Sequence, residues 1–267
     1  MDRNVIYVVC GPIFYNFFRL SYGSLRAAGY DGKVTVVTDG SVGIIEDGIT
    51  LIIQKGQDIY RSLKCDINSY TDSEFNLLLD ADTYVANPID RLFELGAYDI
   101  ALVKDMIPTI AEACGIWSDK FVTVREAEDT AKLCGGATTF YNSGVVAFRR
   151  SPKTRSIFEH WLHEWEIYKD DIKAWQERGN NWFGDQMALS RALAKSDASI
   201  LELPDKFNMR PVSWVKNPGA AKRKGIIIVH FVGKHGKKRW YRFIRKPVIY
   251  GLPPDLVGIE VPAEYKS

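Results

Sequence analysis

Short runs rich in valine, isoleucine and leucine alternate along this chain with stretches of helical periodicity, and few folds accommodate that pattern. Strands that are apolar along their whole length must be covered on both faces. Connecting helices supply the cover, so the expected class is α/β, with a mainly parallel central sheet flanked by helices. Candidate strands fall at 4–10, 33–38, 49–53, 75–80, 99–103, 142–149, 199–203 and 225–231. Helical spacing fills about 14–29, 57–70, 122–134, 151–178 and 184–195. The clearest helix is 151–178, where Ser151 offers a cap, Pro152 suits the first turn and Gly179 stops it. Ile157, Phe158, Trp161, Leu162, Trp165, Tyr168 and Ile172 keep helical spacing there, so the tryptophans read as core rather than as a ligand platform.

A chain of 267 residues with a 46% hydrophobic content can bury a sizeable core. No repeat, low-complexity tract or linker divides it, so one domain is expected over 1–246, with an irregular tail at 247–267 where proline and glycine recur. No apolar run approaches the roughly 18 to 20 residues that cross a bilayer, and the chain passes from Met1 straight into a strand pattern. Neither signal peptide nor membrane span is expected. Cys10, Cys65, Cys114 and Cys134 lack CxxC spacing and read as buried thiols of a reducing, cytoplasmic compartment rather than as a zinc site. Net charge is only +2, yet between Asp205 and Asp255 there is no acidic residue and thirteen basic ones. Such a segment should meet an anion: a pyrophosphate, a lipid headgroup surface, an acidic glycan or a nucleic acid.

Phe75-Asn76-Leu77-Leu78-Leu79 reads as a strand running into Asp80-Ala81-Asp82-Thr83, and ligands of open α/β sheets gather at the carboxyl ends of strands. Two carboxylates one residue apart at such an edge can share a hard divalent cation. Alone, either could serve as a loop cap or turn residue. The same phrase fits the hhhDxDxT nucleophile motif of haloacid-dehalogenase-like phosphatases. That motif belongs on the first strand and needs a later GDxxxD pair; here it sits on the fourth candidate strand, and Leu189 stands where the second acid is wanted.

Four further features follow in order. Lys64 lies sixteen residues before Asp80; Tyr141-Asn142-Ser143-Gly144-Val145-Val146 forms an N-[AS]-G strand; Gly184-Asp185-Gln186 follows Trp182-Phe183; and His230-Phe231-Val232-Gly233 ends the isoleucine-rich strand. In this arrangement the sequence resembles the GT-A glycosyltransferases, family 8 in particular, with its glycogenin-like and lipopolysaccharide galactosyltransferase-like members, over roughly residues 4 to 240. The resemblance implies the GT-A (Rossmann-like, nucleotide-diphospho-sugar transferase) fold. It also implies transfer of a hexose from a nucleotide-diphosphate sugar, with UDP as the expected nucleotide, to an acceptor hydroxyl with retention of configuration. One departure stands in the C-terminal HxxGxxKPW box: Gly236 occupies the lysine position, so two inserted residues leave the choice between Lys237 and Lys238 open.

The implied assignments follow residue by residue. Asp80, Asp82 and His230 would hold a divalent metal, and an imidazole ligand favours Mn²⁺ over Mg²⁺. Lys64, Gly233 and one of Lys237 or Lys238 would meet the donor and its diphosphate. Asn142, Ser143 and Gly144 would meet the donor sugar, Gly144 by letting backbone approach, although a β-bulge accounts for the same glycine. Asp185 and Gln186, with Asn142, would lie near the anomeric carbon, where an Asp could equally cap a helix. Asp39 would bond the base or ribose after the second strand. His160 and His163 share a solvated helix face. Acceptor-binding loops are expected at 104–140 and in the tail; the acceptor itself (glycan, lipid-linked sugar or protein) is not named by the sequence. The 206–246 stretch could rest on the inner face of an anionic membrane; no nucleic acid is expected. The competing readings are a sugar-nucleotide pyrophosphorylase, which wants a glycine-rich basic loop where Gly11-Pro12-Ile13-Phe14 stands, and a non-catalytic glycan or surface-binding module.

Overall fold

Alternate residues of the first strand, β1 (Arg3–Val8), enter different cores: Val5 and Tyr7 pack on one side of the sheet, Ile6 and Val8 on the other. That two-sided burial is what an apolar strand without polar alternation requires. The computed structural model describes residues 2–41, 48–54, 59–117, 123–136, 138–177, 184–210 and 218–231. After β1, Gly11 adopts a positive φ and Pro12 opens helix α1 (Pro12–Ala27), whose Phe17, Phe18 and Leu20 cover the first face. Then come β2 (Lys33–Thr38), β3 (Ile49–Ile53), α2 (Ile59–Cys65), β4 (Phe75–Leu79) and the short β5 (Thr83–Val85). β6 (Ile100–Thr109) leads into α3 (Ile110–Trp117) and α4 (Val124–Cys134), followed by β7 (Thr139–Arg149) and the long α5 (Pro152–Glu177). The described part closes with α6 (Gly184–Ala194), β8 (Ile200–Leu203), α7 (Pro218–Arg223) and β9 (Ile228–His230).

The main sheet has seven strands in the order β3-β2-β1-β4-β7-β6-β8. All neighbours are parallel except β7, which runs against both β4 and β6. A mainly parallel sheet between helices is what the sequence predicts. The chain steps outward from β1 to β2 and β3, then returns to place β4 on the other side of β1. That reversal opens a crevice beyond the carboxyl ends of β1 and β4, the place where doubly wound sheets bind ligands. No helix among the described residues is long and apolar enough to cross a membrane.

Several elements depart from the expected bounds. The 57–70 pattern breaks after Cys65 into a 3-10 turn at Ile67–Tyr70, because the Ser69 hydroxyl bonds the Asp66 carboxylate and the local turn competes with the helix. Within 104–140, where acceptor loops are expected, the helix expected at 122–134 forms as α4, and the end of β6 and α3 are additional. Thr123 caps α4 by accepting the Glu126 N–H, a T-x-x-E start. Ser151 caps α5 as its sequence predicts, by accepting the Thr154 N–H, and Thr154 in turn accepts the Ser151 N–H. The tail at 247–267 lies outside the described residues.

Candidate active site

β4 carries Asp80 to the crevice, where the Asp80 N–H donates to the Gly144 carbonyl at 2.9 Å and so extends the β4–β7 ladder by one residue. The chain then turns, with the Thr83 hydroxyl on the Asp80 carbonyl at 2.9 Å, and re-enters an extended state as β5. β5 pairs with β9 in a separate two-stranded ribbon, placing Thr83 opposite His230; the Phe231 N–H donates to the Asp82 carbonyl at 2.9 Å. This ribbon brings residues 80, 82 and 230 together. Asp80, Asp82 and His230 each offer one ligand atom, and those atoms lie within 4.8 Å of one another.

Burial alone would depress the His230 pKa, but Asp80 and Asp82 outweigh it and push it up to about 9. The ring nitrogen Nε2 stands 3.5 Å from Asp80 and 3.3 Å from Asp82, and the Lys64 ammonium lies beyond at 2.8 Å from Asp80. Two carboxylates and an imidazole nitrogen that together hold a proton so tightly form a donor set suited to a divalent cation. In metal-stripped protein, a pKa raised from 6.5 to about 9 contributes stability that is complete below the unfolded value and is lost as pH rises through the folded one. The melting temperature of chelator-treated protein should therefore fall between about pH 7 and about pH 9.5, and His230→Gln should flatten that fall. An equal fall in the variant would place the effect elsewhere.

Lys64, near the end of α2, is buried against the triad. Its ammonium meets Asp80 at 2.8 Å, Asp185 at 3.0 Å and the Ser143 hydroxyl at 3.1 Å. Those contacts use all three ammonium protons. The sequence suggests a lysine facing the donor; in the structure it ties the first Asp of the pair to Asp185. Burial would lower its pKa, but Asp185 and Asp80 raise it, so the charge stays on. For the Asp185 carboxyl, burial is outweighed by Lys64 and Arg61, which hold it below the usual range. Ser143 donates to it at 2.7 Å, and Trp161 of α5 donates to its carbonyl at 2.8 Å. The helix tryptophan is thus both core and a brace for the start of α6.

β7 breaks register beside the site. Leu102 of β6 pairs with Val146, but the next residue, Val103, pairs with Asn142. Ser143, Gly144 and Val145 therefore bulge away from β6 while Val145 still pairs with Leu79 of β4. The bulge and the close approach both account for Gly144: a Cβ there would lie 2.1 Å from Cε1 and 2.6 Å from Nδ1 of His230. Gly144→Ala should cost about 1–3 kcal/mol of stability, as overpacking does, and should displace the imidazole. Calorimetry of the variant with and without Mn²⁺ checks both effects.

Three residues of the site are not singled out by sequence pattern. Asp105, buried in the middle of β6, accepts from Asn142 at 3.0 Å and Gln186 at 3.2 Å and forms a close ion pair with Arg210. Asn142 also donates to the Gln186 carbonyl oxygen at 3.0 Å. Asn208 bridges Asn142 and His230. A cavity of about 410 Å³ opens beside this network, lined by Lys104, Asp105, Met106, Asn142, Asn208 and Arg210 among others. Asp105 does carry a faint signal, since only Lys104 separates it from the apolar run Ile100–Val103. Asn208 sits in an irregular segment and carries none.

Asp39 lies at the carboxyl end of β2, two strands from β4, and accepts the Ser41 N–H at 2.9 Å, while the Ser41 hydroxyl accepts the Gly11 N–H at 2.7 Å. It anchors the two loops at the far side of the crevice. Gly233, Lys237 and Lys238, and Trp182-Phe183, lie outside the described residues.

No family model matches the sequence, and no curated protein matches it. Solved structures do. The bifunctional glycosyltransferase WbbM superposes with a TM-score of 0.62 at 13% identity, over 91% of this chain and 49% of that one, so the chain spans about half of it. The galactosyltransferase LgtC in complex with donor and acceptor sugar analogs gives 0.55 at 14% identity, over 86% and 87%. The fold is that of GT-A glycosyltransferases. Mouse xyloside xylosyltransferase 1 shares it, at 0.51 and 15% identity over 86% and 97%.

Proposed function

We propose that this GT-A chain is a metal-dependent glycosyltransferase that moves a hexose from a UDP-sugar to an acceptor hydroxyl with retention of configuration. The observation that carries the reading is the convergence of Asp80, Asp82 and His230, with ligand atoms within 4.8 Å, at the carboxyl end of β4. Their donor set favours Mn²⁺ over Mg²⁺, which prefers oxygen alone. Bound there, the ion would supply the positive charge that neutralises a diphosphate leaving group as the sugar C1–O bond breaks.

The protein's own groups do the rest. Lys64 keeps Asp80 and Asp185 ionised and fixed, so the site does not reorganise when charge develops. Gln186, which donates to Asp105, presents a polar edge for sugar hydroxyls, and Asn142, its amide taken up by Asp105, Gln186, Gly144 and Asn208, holds that edge rigid. Asp185, with its pKa held low, is a weak proton acceptor. Removal of the acceptor's proton by the departing phosphate, as front-face retention requires, therefore asks nothing of it. Gly11, Asp39 and Ser41 edge the nucleoside side of the crevice, and the basic 206–246 stretch supplies further cations for the diphosphate.

Incubation with a panel of UDP-sugars and Mn²⁺ tests the reading without an acceptor, because a transferase slowly hydrolyses its donor. UDP release from one donor, abolished by chelator, is expected. Pyrophosphate release from UTP and a sugar phosphate, with no donor hydrolysis, would instead make the chain a pyrophosphorylase.

A further inference from the structure

We infer that Asn208 is a positioning residue that fixes the tautomer and ring orientation of His230, so that Nε2 is the nitrogen presented to Asp80 and Asp82. This rests on reading the Asp80-Asp82-His230 triad as a metal centre. One donor in the network has a role that is not adjustable. The Gly144 N–H, which can only donate, lies 2.9 Å from Oδ1 of Asn142, and that identifies the atom as the amide oxygen. The opposite end of Asn142 agrees, for its Nδ2 faces two acceptors, Asp105 and Gln186, each at 3.0 Å.

Asn208 Nδ2 donates to the same Asn142 oxygen at 2.8 Å, and this turns Asn208 Oδ1 towards His230 Nδ1 at 2.9 Å. An amide oxygen has no proton to give, so Nδ1 carries one and donates it. Nε2 is then the nitrogen from which a bound cation would displace a proton, and it is the one 3.3 Å from Asp82 and 3.5 Å from Asp80. A ligating imidazole needs this: its other nitrogen occupied by a hydrogen bond that sets ring orientation.

Asn208 is itself held. The neighbouring Met209 accepts the His230 N–H at 2.9 Å and bridges to Val229 of β9, so the amide and the imidazole ride on paired backbone. The missing Cβ of Gly144 leaves the ring its room. The chain of fixed roles therefore runs from the bulge in β7 through Asn142 and Asn208 to the metal-facing nitrogen.

The experiment compares Mn²⁺ affinity, measured by electron paramagnetic resonance of free Mn²⁺ in the presence of UDP, among wild type, Asn208→Ala and Asn208→Asp. Asp keeps an oxygen for Nδ1 where Ala does not. Loss of orienting partners of metal ligands typically weakens binding about 10- to 100-fold, so Asn208→Ala should bind at least about tenfold more weakly, while Asn208→Asp, which loses the donor to Asn142 but not the oxygen for Nδ1, should fall between Ala and wild type. Equal affinities in all three overturn the inference. Wild type that binds no Mn²⁺ overturns the metal reading of the triad and the inference with it. A second measurement needs no variant: the chain has only four histidines, so ¹⁵N-histidine labelling can resolve them. With Zn²⁺, a diamagnetic ion that accepts imidazole, bound in the presence of UDP, His230 should carry its proton on Nδ1, and a ring protonated on Nε2 under those conditions would overturn the assignment.

Discussion

Asp82→Asn should abolish Mn²⁺-dependent donor turnover, by about a thousandfold or more in kcat, while leaving the fold intact. The size follows from what the carboxylate does. Removing one of two anionic oxygens from a three-ligand set weakens the hold on the cation and removes charge stabilisation worth several kcal/mol at the leaving group; about 4 kcal/mol is three powers of ten in rate. Folding is spared because the bonds that shape the turn are made by backbone oxygens: the Asp80 carbonyl takes the Thr83 hydroxyl and the Asp82 carbonyl takes the Phe231 N–H. Asparagine preserves both. Asp80 keeps Lys64 and His230 beside it, so no carboxylate is left without a cation. Donor hydrolysis, metal affinity and melting temperature should be measured together. Unchanged turnover sinks the assignment of the site; a collapsed fold would show that the turn depends on the charge itself.

The difference between what the chain discloses and what it hides is physical. β4 is legible because an apolar run that ends on two carboxylates suits a buried strand reaching a polar sheet edge, and α5 because its caps and its tryptophan spacing agree. β5 is not, since Thr83–Val85 is too short for periodicity and exists by pairing with β9. The same holds for the relation between Asp82 and His230, which is a property of the ribbon rather than of either segment. Lys64 can be placed by its spacing, but its contacts with Asp80, Asp185 and Ser143 arise only where α2 meets the end of β4, α6 and β7 at one edge. Asn208 belongs to the class that sequence discloses worst: a single amide in irregular backbone whose meaning depends on partners at 142 and 230. The bulge in β7 lies between these extremes. Gly144 suggests it, and only the register of both neighbouring strands defines it.

Arg191→Met should be the most destabilising single change among α4, α5 and α6, at about 3–5 kcal/mol, the range for breaking a buried ion pair by removing one partner. Arg191 of α6 is almost wholly buried, and its guanidinium spans three helices. It donates to Glu164 of α5 at 2.8 Å, to Glu126 of α4 at 3.2 Å and to Thr130 at 2.6 Å, and it stacks 4.4 Å from the centroid of Tyr168. Methionine fills the volume but answers none of those acceptors, and Glu126 is as buried as the arginine. At about 2–4 °C per kcal/mol for a chain of this size, the melting temperature should drop by on the order of 10 °C. The site should suffer far less at low temperature. Asp185 and Gln186 begin the same helix but are held by their own partners, Lys64 and Ser143 for the first, Asn142 and Asp105 for the second. Calorimetry and donor hydrolysis at about 15 °C, well below the lowered transition, separate the two effects. A loss of turnover as large as that of Asp82→Asn would mean that α4, α5 and α6 position the reacting groups directly, and a melting temperature within a degree or two of wild type would mean that the buried charges gain little over packed apolar side chains.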